Sequence, residues 1–168
     1  MLKRVWKGER QYSMSFRSAK YRDIEAICAG LTGAFVPMLK SLYPRGYYAY
    51  FTNHTWVKDK IDNEFVYVYV LEGTVIGAMI IIKNPDEKNL KIHTIYVEEA
   101  YRRQGFAKAM MEKAEELHGE GVGWSLETLE SLKGNVELYE KMGYKRYGEP
   151  KVLENGHKVV YYGKRRLL

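Results

Sequence analysis

Arg102, Arg103, Gln104, Gly105, Phe106 and Ala107 open a stretch with helical patterning, and that combination suits a phosphate. The first amides of a helix have no partner within it, the dipole is positive there, a glycine allows close approach, and two guanidinium groups add charge. The same six residues would equally make a solvated helix start with surface arginines. Just upstream, Leu90 and Ile92 share one strand parity while Ile95 and Val97 share the other, so the buried face is expected to change phase between Ile92 and Ile95. A bulge would do this and leave backbone N–H and C=O groups able to pair with an extended amide-bearing ligand as with another strand.

Other chemistries find less support. Gly119, Gly121 and Gly123 are spaced like part of a dinucleotide loop, but Trp124 stands where a further glycine is needed and the run leads from helix to strand, the reverse of a phosphate-binding turn. Gly123-Trp124-Ser125-Leu126-Glu127 begins like a hydrolase elbow and lacks its closing glycine. His54, His93, His118 and His157 are widely separated and Cys28 is the only cysteine, so no metal site is expected.

The elements that must position these groups follow from periodicity. Met1 to Ser13 reads as an N-terminal extension, with residues 14–168 forming a single domain. Met14 to Arg17 is a first strand, and a helix from Tyr21 carries Ile24, Ile27, Cys28 and Leu31 before fading near Gly33. Pro37 to Asn53 is turn-rich and aromatic, and a short helix runs from Trp56 to Ile61. Glu64 to Leu71 and Val75 to Ile82 form a hairpin about Glu72-Gly73-Thr74. After the loop Asn84-Pro85-Asp86 come a strand from Leu90 to Val97 and a helix from Arg103 to Leu117, with Phe106, Met110, Ala114 and Leu117 on one face. A strand from Trp124 to Thr128, a helix from about Asn135 to Met142 ended by Gly143, and two strands about an Asn155-Gly156 turn close the chain. This order implies an α/β protein, α+β by some schemes, with a mixed sheet and helices on both faces.

Composition bounds the rest. The chain has 168 residues and 19.6 kDa, with 46% hydrophobic residues, enough for the core of one domain. A lone cysteine suits a reducing compartment, and neither a bilayer-length apolar run nor a signal peptide is read, so a cytoplasmic protein is expected. The net charge of +6 raises the question of nucleic acid. The bases are dispersed, however, with Lys3, Arg4, Lys7 and Arg10 near one end and Lys164, Arg165 and Arg166 near the other. No nucleic-acid or membrane partner is expected.

Ile92 through Ala107, with its Arg-x-x-Gly-x-Ala core, resembles the acetyl coenzyme A motif of the GNAT superfamily of N-acetyltransferases. Leu126-Glu127-Thr128 followed by Asn135-x-x-x-Tyr139-x-x-x-Gly143-Tyr144 resembles that family's second motif, and the likeness extends from about Met14 to Tyr162. The resemblance implies the acyl-CoA N-acyltransferase fold, a mostly antiparallel central sheet with one splayed strand pair. It also implies acetyl-CoA as cosubstrate. Its pantetheine would pair with the backbone of Ile95, Tyr96 and Val97 and face Asn135, and its pyrophosphate would meet Arg102, Arg103 and the amides of Gln104, Gly105, Phe106, Ala107 and Lys108.

By the same resemblance an amine attacks the thioester directly, a strand amide near Ile95 stabilises the oxyanion, and Tyr139 protonates the departing thiolate. At helical spacing with Val136 and Met142, Tyr139 could instead pack a core. Lys91 stands where many relatives place a glutamate. His93, a position some relatives fill with histidine, and Glu127 are then the candidate bases, although a strand histidine bonded in the sheet and a structural glutamate are the alternatives.

In this family the acceptor pocket is usually built by the first helices and their connection, here roughly Leu31 to Ile61. Acids are scarce there, with only Asp59 and, just beyond, Asp62 following Glu25, so a polycation would lack a lining. Tyr43, Tyr47, Tyr48 and Tyr50, with Tyr67 or Tyr69, suit a neutral, aromatic or singly charged amine, and Arg45 could pair with a carboxylate; the tyrosines could also simply pack the helices. The expected reaction is acetyl transfer to the primary amine of an amino acid or small amine. A protein or peptide N-terminal acetyltransferase and a catalytically silent acetyl-CoA-binding module are the alternatives. The acceptor, the general base and the oligomeric state, a homodimer included, stay open.

Overall fold

The computed structural model describes residues 2–7, 10–42, 53–85 and 88–165, with side chains from Tyr12 onward. Its strands are β1 (Leu2–Lys7), β2 (Arg10–Ser18), β3 (Phe65–Leu71), β4 (Thr74–Lys83), β5 (Asn89–Val97), β6 (Gly123–Leu129), β7 (Lys145–Val152) and β8 (Lys158–Arg165). The helices are α1 (Ile24–Leu42), α2 (His54–Asn63), α3 (Phe106–His118) and α4 (Lys133–Lys141). Hydrogen-bonded strand order is β1-β2-β3-β4-β5-β6-β8-β7. The β5–β6 pair is parallel, and the β1–β2, β2–β3, β6–β8 and β7–β8 pairs are antiparallel. This is the mixed, mostly antiparallel sheet expected.

Val5 pairs with Tyr12 and Lys3 with Met14, so β2 starts at Arg10 and β1 adds a further strand beside it.

The chain divides into two compact units, Met1–Ile80 with Thr94–Lys113, and Ile81–His93 with Ala114–Leu168. Each boundary falls inside an element, in β4, β5 and α3.

In the first unit, Arg17 and Lys20 fasten α1 through Asp23, which lies in a 3-10 turn at Tyr21–Asp23. The guanidinium of Arg17 donates to Asp23 at 2.7 and 2.9 Å, and the Lys20 N–H donates at 2.7 Å. Ile27, Cys28, Gly30 and Leu31 form the buried stripe of α1. The helix does not fade near Gly33 but runs on to buried Leu42 through Pro37. Pro37 lacks the N–H that would bond to the Gly33 carbonyl. Gly33 has no Cβ, and a Cβ built there would meet nothing within 4 Å. Within Tyr21–Leu42, the helix with its 3-10 lead-in, an 18-residue window has a mean hydropathy of 1.2, so by length and composition the segment could cross a bilayer, contrary to expectation. Its stripe is instead core: Ile27 is 0% and Leu31 1% exposed.

Asn53 caps α2 by accepting from the Thr55 N–H at 2.8 Å. Between β3 and β4, Glu72 and Gly73 have φ of 48° and 80°, the two left-handed residues of a tight hairpin turn. The expected tyrosine-rich connection, with Tyr43, Arg45, Tyr47, Tyr48 and Tyr50, lies outside the described residues, as does Asp86.

Candidate functional site

In the first unit β5 ends and α3 begins. Burial along β5 does not change phase: Leu90, Ile92, Thr94 and Tyr96 are all buried, at 5, 4, 7 and 4% exposure, while His93 is exposed and Ile95 half-buried. Thr94, a buried polar residue, continues the inward set where apolar periodicity alone saw a gap. The feature the phase change was meant to explain exists in another form. Parallel pairing of β5 with β6 runs from Asn89↔Gly123 to Ile92↔Leu126 and stops, although β5 continues to Val97 and β6 to Leu129.

Tyr96 does not present its side chain to a ligand. Its ring packs where a Cβ of Gly30 would sit, and its hydroxyl donates to the Ala26 carbonyl at 3.3 Å. Burial raises its pKa well above the ordinary phenol value. Any role in ligand binding therefore belongs to its backbone.

Helix α3 starts at Phe106, three residues later than expected. Arg103 and Gly105 instead take φ of 59° and 84°. Two left-handed residues so close together, followed by a helix start, form a concave run of amides that suits an anion. Gly105 is not glycine for want of room, since a Cβ there would meet nothing within 4 Å. Its conformation, and the space for a ligand, are what the side chain would cost. Ala109 N–H reaches the Gly105 carbonyl at 3.0 Å, which leaves the amides of 106, 107 and 108 without helical acceptors, and no acidic residue occupies the first turn.

The flanking side chains brace this turn. Arg102 Nε donates to the Val97 carbonyl at 3.0 Å, and Gln104 Nε2 to that of Ala100 at 3.3 Å. The Val97 carbonyl thus already has a side-chain donor, and Arg102 holds the loop to the strand end. Arg103 and Lys108 are exposed. Phe106 anchors the helix start on Tyr69, with ring centroids 5.5 Å apart.

The second unit holds Asn135, Tyr139, His93 and Glu127. Asn135 and Tyr139, one helical turn apart on α4, share a face; Asn135 is exposed and Tyr139 is 6% exposed. Helix α4 ends with Gly143 at φ 86°. The Gly143 N–H bonds to the Glu140 carbonyl and the Tyr144 N–H to that of Tyr139, both at 3.0 Å, a Schellman cap. The cap brings Tyr144 against Tyr139, at 6.3 Å between rings, and Tyr162 lies 6.2 Å away on the other strand.

The three hydroxyls of this cluster differ. Tyr144 donates to Glu115 Oε1 and Tyr162 to Glu140 Oε1, each at 3.0 Å. The Tyr139 hydroxyl bonds to no described residue. Burial raises its pKa from 10.0 to about 12, so it stays a neutral phenol with its proton uncommitted.

Two features here escaped the sequence. Lys91 Nζ lies 3.2 Å from Glu127 Oε2, a pairing that depends on strand register. Glu115, 3% exposed, accepts from Tyr144 and from Lys164 Nζ at 2.8 Å. Its helix buries Met110, Met111, Ala114 and Glu115 and leaves Leu117 61% exposed, so the stripe is rotated from the one expected. Among the described residues no three His, Cys, Asp or Glu side chains gather as a metal site would need.

The model of the Acetyltransferase (GNAT) family matches residues 31–144. The chain belongs to the GNAT acetyltransferase family. It is an acyltransferase. The fold has many solved counterparts. An N-acetyltransferase from Staphylococcus aureus Mu50 superposes with a TM-score of 0.72 at 18% identity, over 92% of this chain and 99% of that one. The PaiA N-acetyltransferase of Thermoplasma acidophilum, solved in complex with coenzyme A, gives 0.73 at 12% identity, over 92% and 99%. The ribosomal-protein-S18-alanine N-acetyltransferase of Escherichia coli gives 0.67 at 15% identity, over 92% and 95%. No curated protein sequence matches the chain.

Proposed function

We propose that this GNAT enzyme moves an acetyl group from acetyl-CoA to the primary amine of a small molecule, an amino acid or small amine, by direct attack in a ternary complex. The observation that carries the reading is the Tyr139 hydroxyl, alone in its cluster in donating to no carboxylate, and held neutral by burial. Acetyl-CoA supplies the activated acyl carbon as a thioester. The amides of 104–108 and the Arg103 guanidinium are suited to its pyrophosphate, since the turn there is concave, free of acids and open above Gly105. Backbone groups of Ile95, Tyr96 and Val97, and the Asn135 side chain, are the candidates for the pantetheine arm.

Tyr139 donates toward the sulfur as negative charge builds there. Proton balance follows from the acceptor: its ammonium loses one proton to a base before attack, which passes on to solvent, and a second as the C–N bond forms, which restores Tyr139 after that phenol has protonated the sulfur as the C–S bond breaks. His93 is the better candidate to receive the amine's proton. Imidazole ordinarily changes charge near neutral pH, His93 is exposed, and Glu127 is engaged by Lys91. A small, singly charged acceptor is favoured over a polycation because the acids of α2 are already matched: Asp62 pairs with Lys58 at 2.6 Å and Asp59 with Lys60 at 3.1 Å.

The test is thiol release from acetyl-CoA across amino acids, simple amines, polyamines and peptides with free N-termini. Tyr139→Phe is expected to lower kcat about 100-fold, the usual loss for a general acid, with coenzyme A binding retained. Release with peptides alone would replace the small-molecule reading. No release with any acceptor, despite coenzyme A binding, would replace it with a silent binding module.

A further inference from the structure

We infer that the acceptor is a free α-amino acid, clasped as a zwitterion by Lys91 and Glu127, its carboxylate on the lysine and its ammonium on the glutamate. The inference rests on the N-acetyltransferase reading and names the substrate class of that site.

The two side chains meet on neighbouring strands where pairing ends. Lys91 stands opposite Ser125 in the parallel register, and Glu127 is the first β6 residue beyond the last β5–β6 pair, Ile92↔Leu126. Strand alternation and register put Lys91, His93, Ser125 and Glu127 on one face, opposite to buried Leu90, Ile92, Trp124 and Leu126. Their ion pair spans 3.2 Å, with side chains 36% and 47% exposed.

An exposed pair of this kind contributes little to stability, because solvent screens it, so opening it is cheap. A zwitterion replaces the one pair with two, each a charge-assisted hydrogen bond. A plain amine gains less, because it takes Glu127 from Lys91 and leaves the lysine ammonium unmatched. A polyamine meets the Lys91 charge directly. A peptide N-terminus carries a neutral amide where the amino acid has its carboxylate, and so offers Lys91 a carbonyl but no charge. His93, two residues along the same face, is placed to take the proton that the bound ammonium must lose before it attacks.

The same face supplies a bed for the acceptor's side chain. Glu127 is opposite Tyr161, which is opposite Tyr147. Their ring centroids lie 6.1 Å apart, and Tyr147, 52% exposed, lies over Gly163. An apolar or aromatic side chain fits that surface.

The experiment uses the full chain and acetyl-CoA, following thiol release with each of the common L-amino acids beside its amide and its decarboxylated amine. For the best acceptor, kcat/KM should exceed that of its amide about ten-fold, the worth of one charge-assisted bond. Lys91→Met should collapse that ratio toward one by raising KM, and Lys91→Arg should preserve most of it. Glu127→Gln, a second variant should Lys91→Met not fold, should raise KM for amino acid and amide alike. Equal rates for acids and amides, or a Lys91→Met loss that falls equally on both, overturn the inference and leave the acetyltransferase standing. No thiol release with any acceptor, while calorimetry shows coenzyme A bound, overturns the reading beneath it as well.

Discussion

Tyr139 illustrates how one side chain acquires a chemical role from its neighbours' commitments. Glu115 and Glu140 occupy the Tyr144 and Tyr162 hydroxyls, and burial alone raises Tyr139 to about 12. A phenol whose folded pKa lies above its unfolded value contributes stability that is complete below pH 10 and is lost as pH rises toward about 12. The same shift keeps the donor's proton in place across the working range. The rate is therefore expected to show no fall traceable to Tyr139 below about pH 11, with Tyr139→Phe giving a slower profile of the same shape. A limb near pH 10 present in the parent and missing from the variant would refute this.

The two arginines divide their labour at the same scale. Arg103 is exposed on a left-handed residue, and Arg102 is spent on the Val97 carbonyl through Nε. Arg103→Ala should weaken coenzyme A binding about ten-fold and flatten its salt dependence, while Arg103→Lys keeps most of both. Arg102→Lys should behave like Arg102→Ala, since lysine has no Nε to hold the strand end. Calorimetry at two ionic strengths distinguishes the four variants. Arg103 and Gly105 were legible as candidates from residue type and spacing along one segment, and Tyr139 only through the resemblance of its motif to that of the GNAT family. The Lys91–Glu127 pair was not, because it exists only once β5 and β6 are set in register.

Among the elements, α1 depends most on a single junction. Asp23 accepts two bonds from Arg17 and one from the Lys20 N–H, and its side chain is only 5% exposed. The Arg17 hydrogen bonds hold its carboxyl below the ordinary value of 3.8, against the opposing effect of burial. A depressed folded pKa contributes stability that is present above the unfolded value and lost as pH falls through the folded one. Asp23→Asn should thus destabilise the protein at pH 7 by about 1–3 kcal/mol. The gap between the variant and its parent should narrow below about pH 4. Thermal unfolding from pH 3 to 7 measures both, and a gap constant with pH would show that the charge is not what matters.

Periodicity located every helix and strand from β2 onward but misjudged several ends. It stopped α1 at Gly33, where the helix absorbs both Gly33 and Pro37, and began α3 at Arg103, where the chain instead makes a turn with Arg103 and Gly105 at positive φ. It also read a phase change in β5, because Thr94 is polar yet buried. At Gly33 the helix carries a local preference against glycine of only about 1 kcal/mol, and preferences that small are why boundaries were less readable than elements.

At the scale of the whole molecule the boundaries between compact units matter most, because they fall within β4, β5 and α3 rather than in loops. A hydrogen-bonded strand or helix does not melt in one half without fraying the other, so the two units should lose structure together. Glu115 offers a way to test this from one side. It is 3% exposed, one residue past the boundary in α3, and its bonds to Tyr144 and Lys164 lie wholly within the second unit. Breaking a buried ion pair by removing one charge costs about 3 kcal/mol. Glu115→Gln also turns an amide toward the Lys164 ammonium. If the shared elements couple the units, hydrogen exchange should show the slowest amides of β2 and β3 losing protection by the same factor as those of β6 and β8, and unfolding should remain a single transition. Retained protection in β2 and β3, with only β6 and β8 exchanging faster, would show instead that the two units open independently.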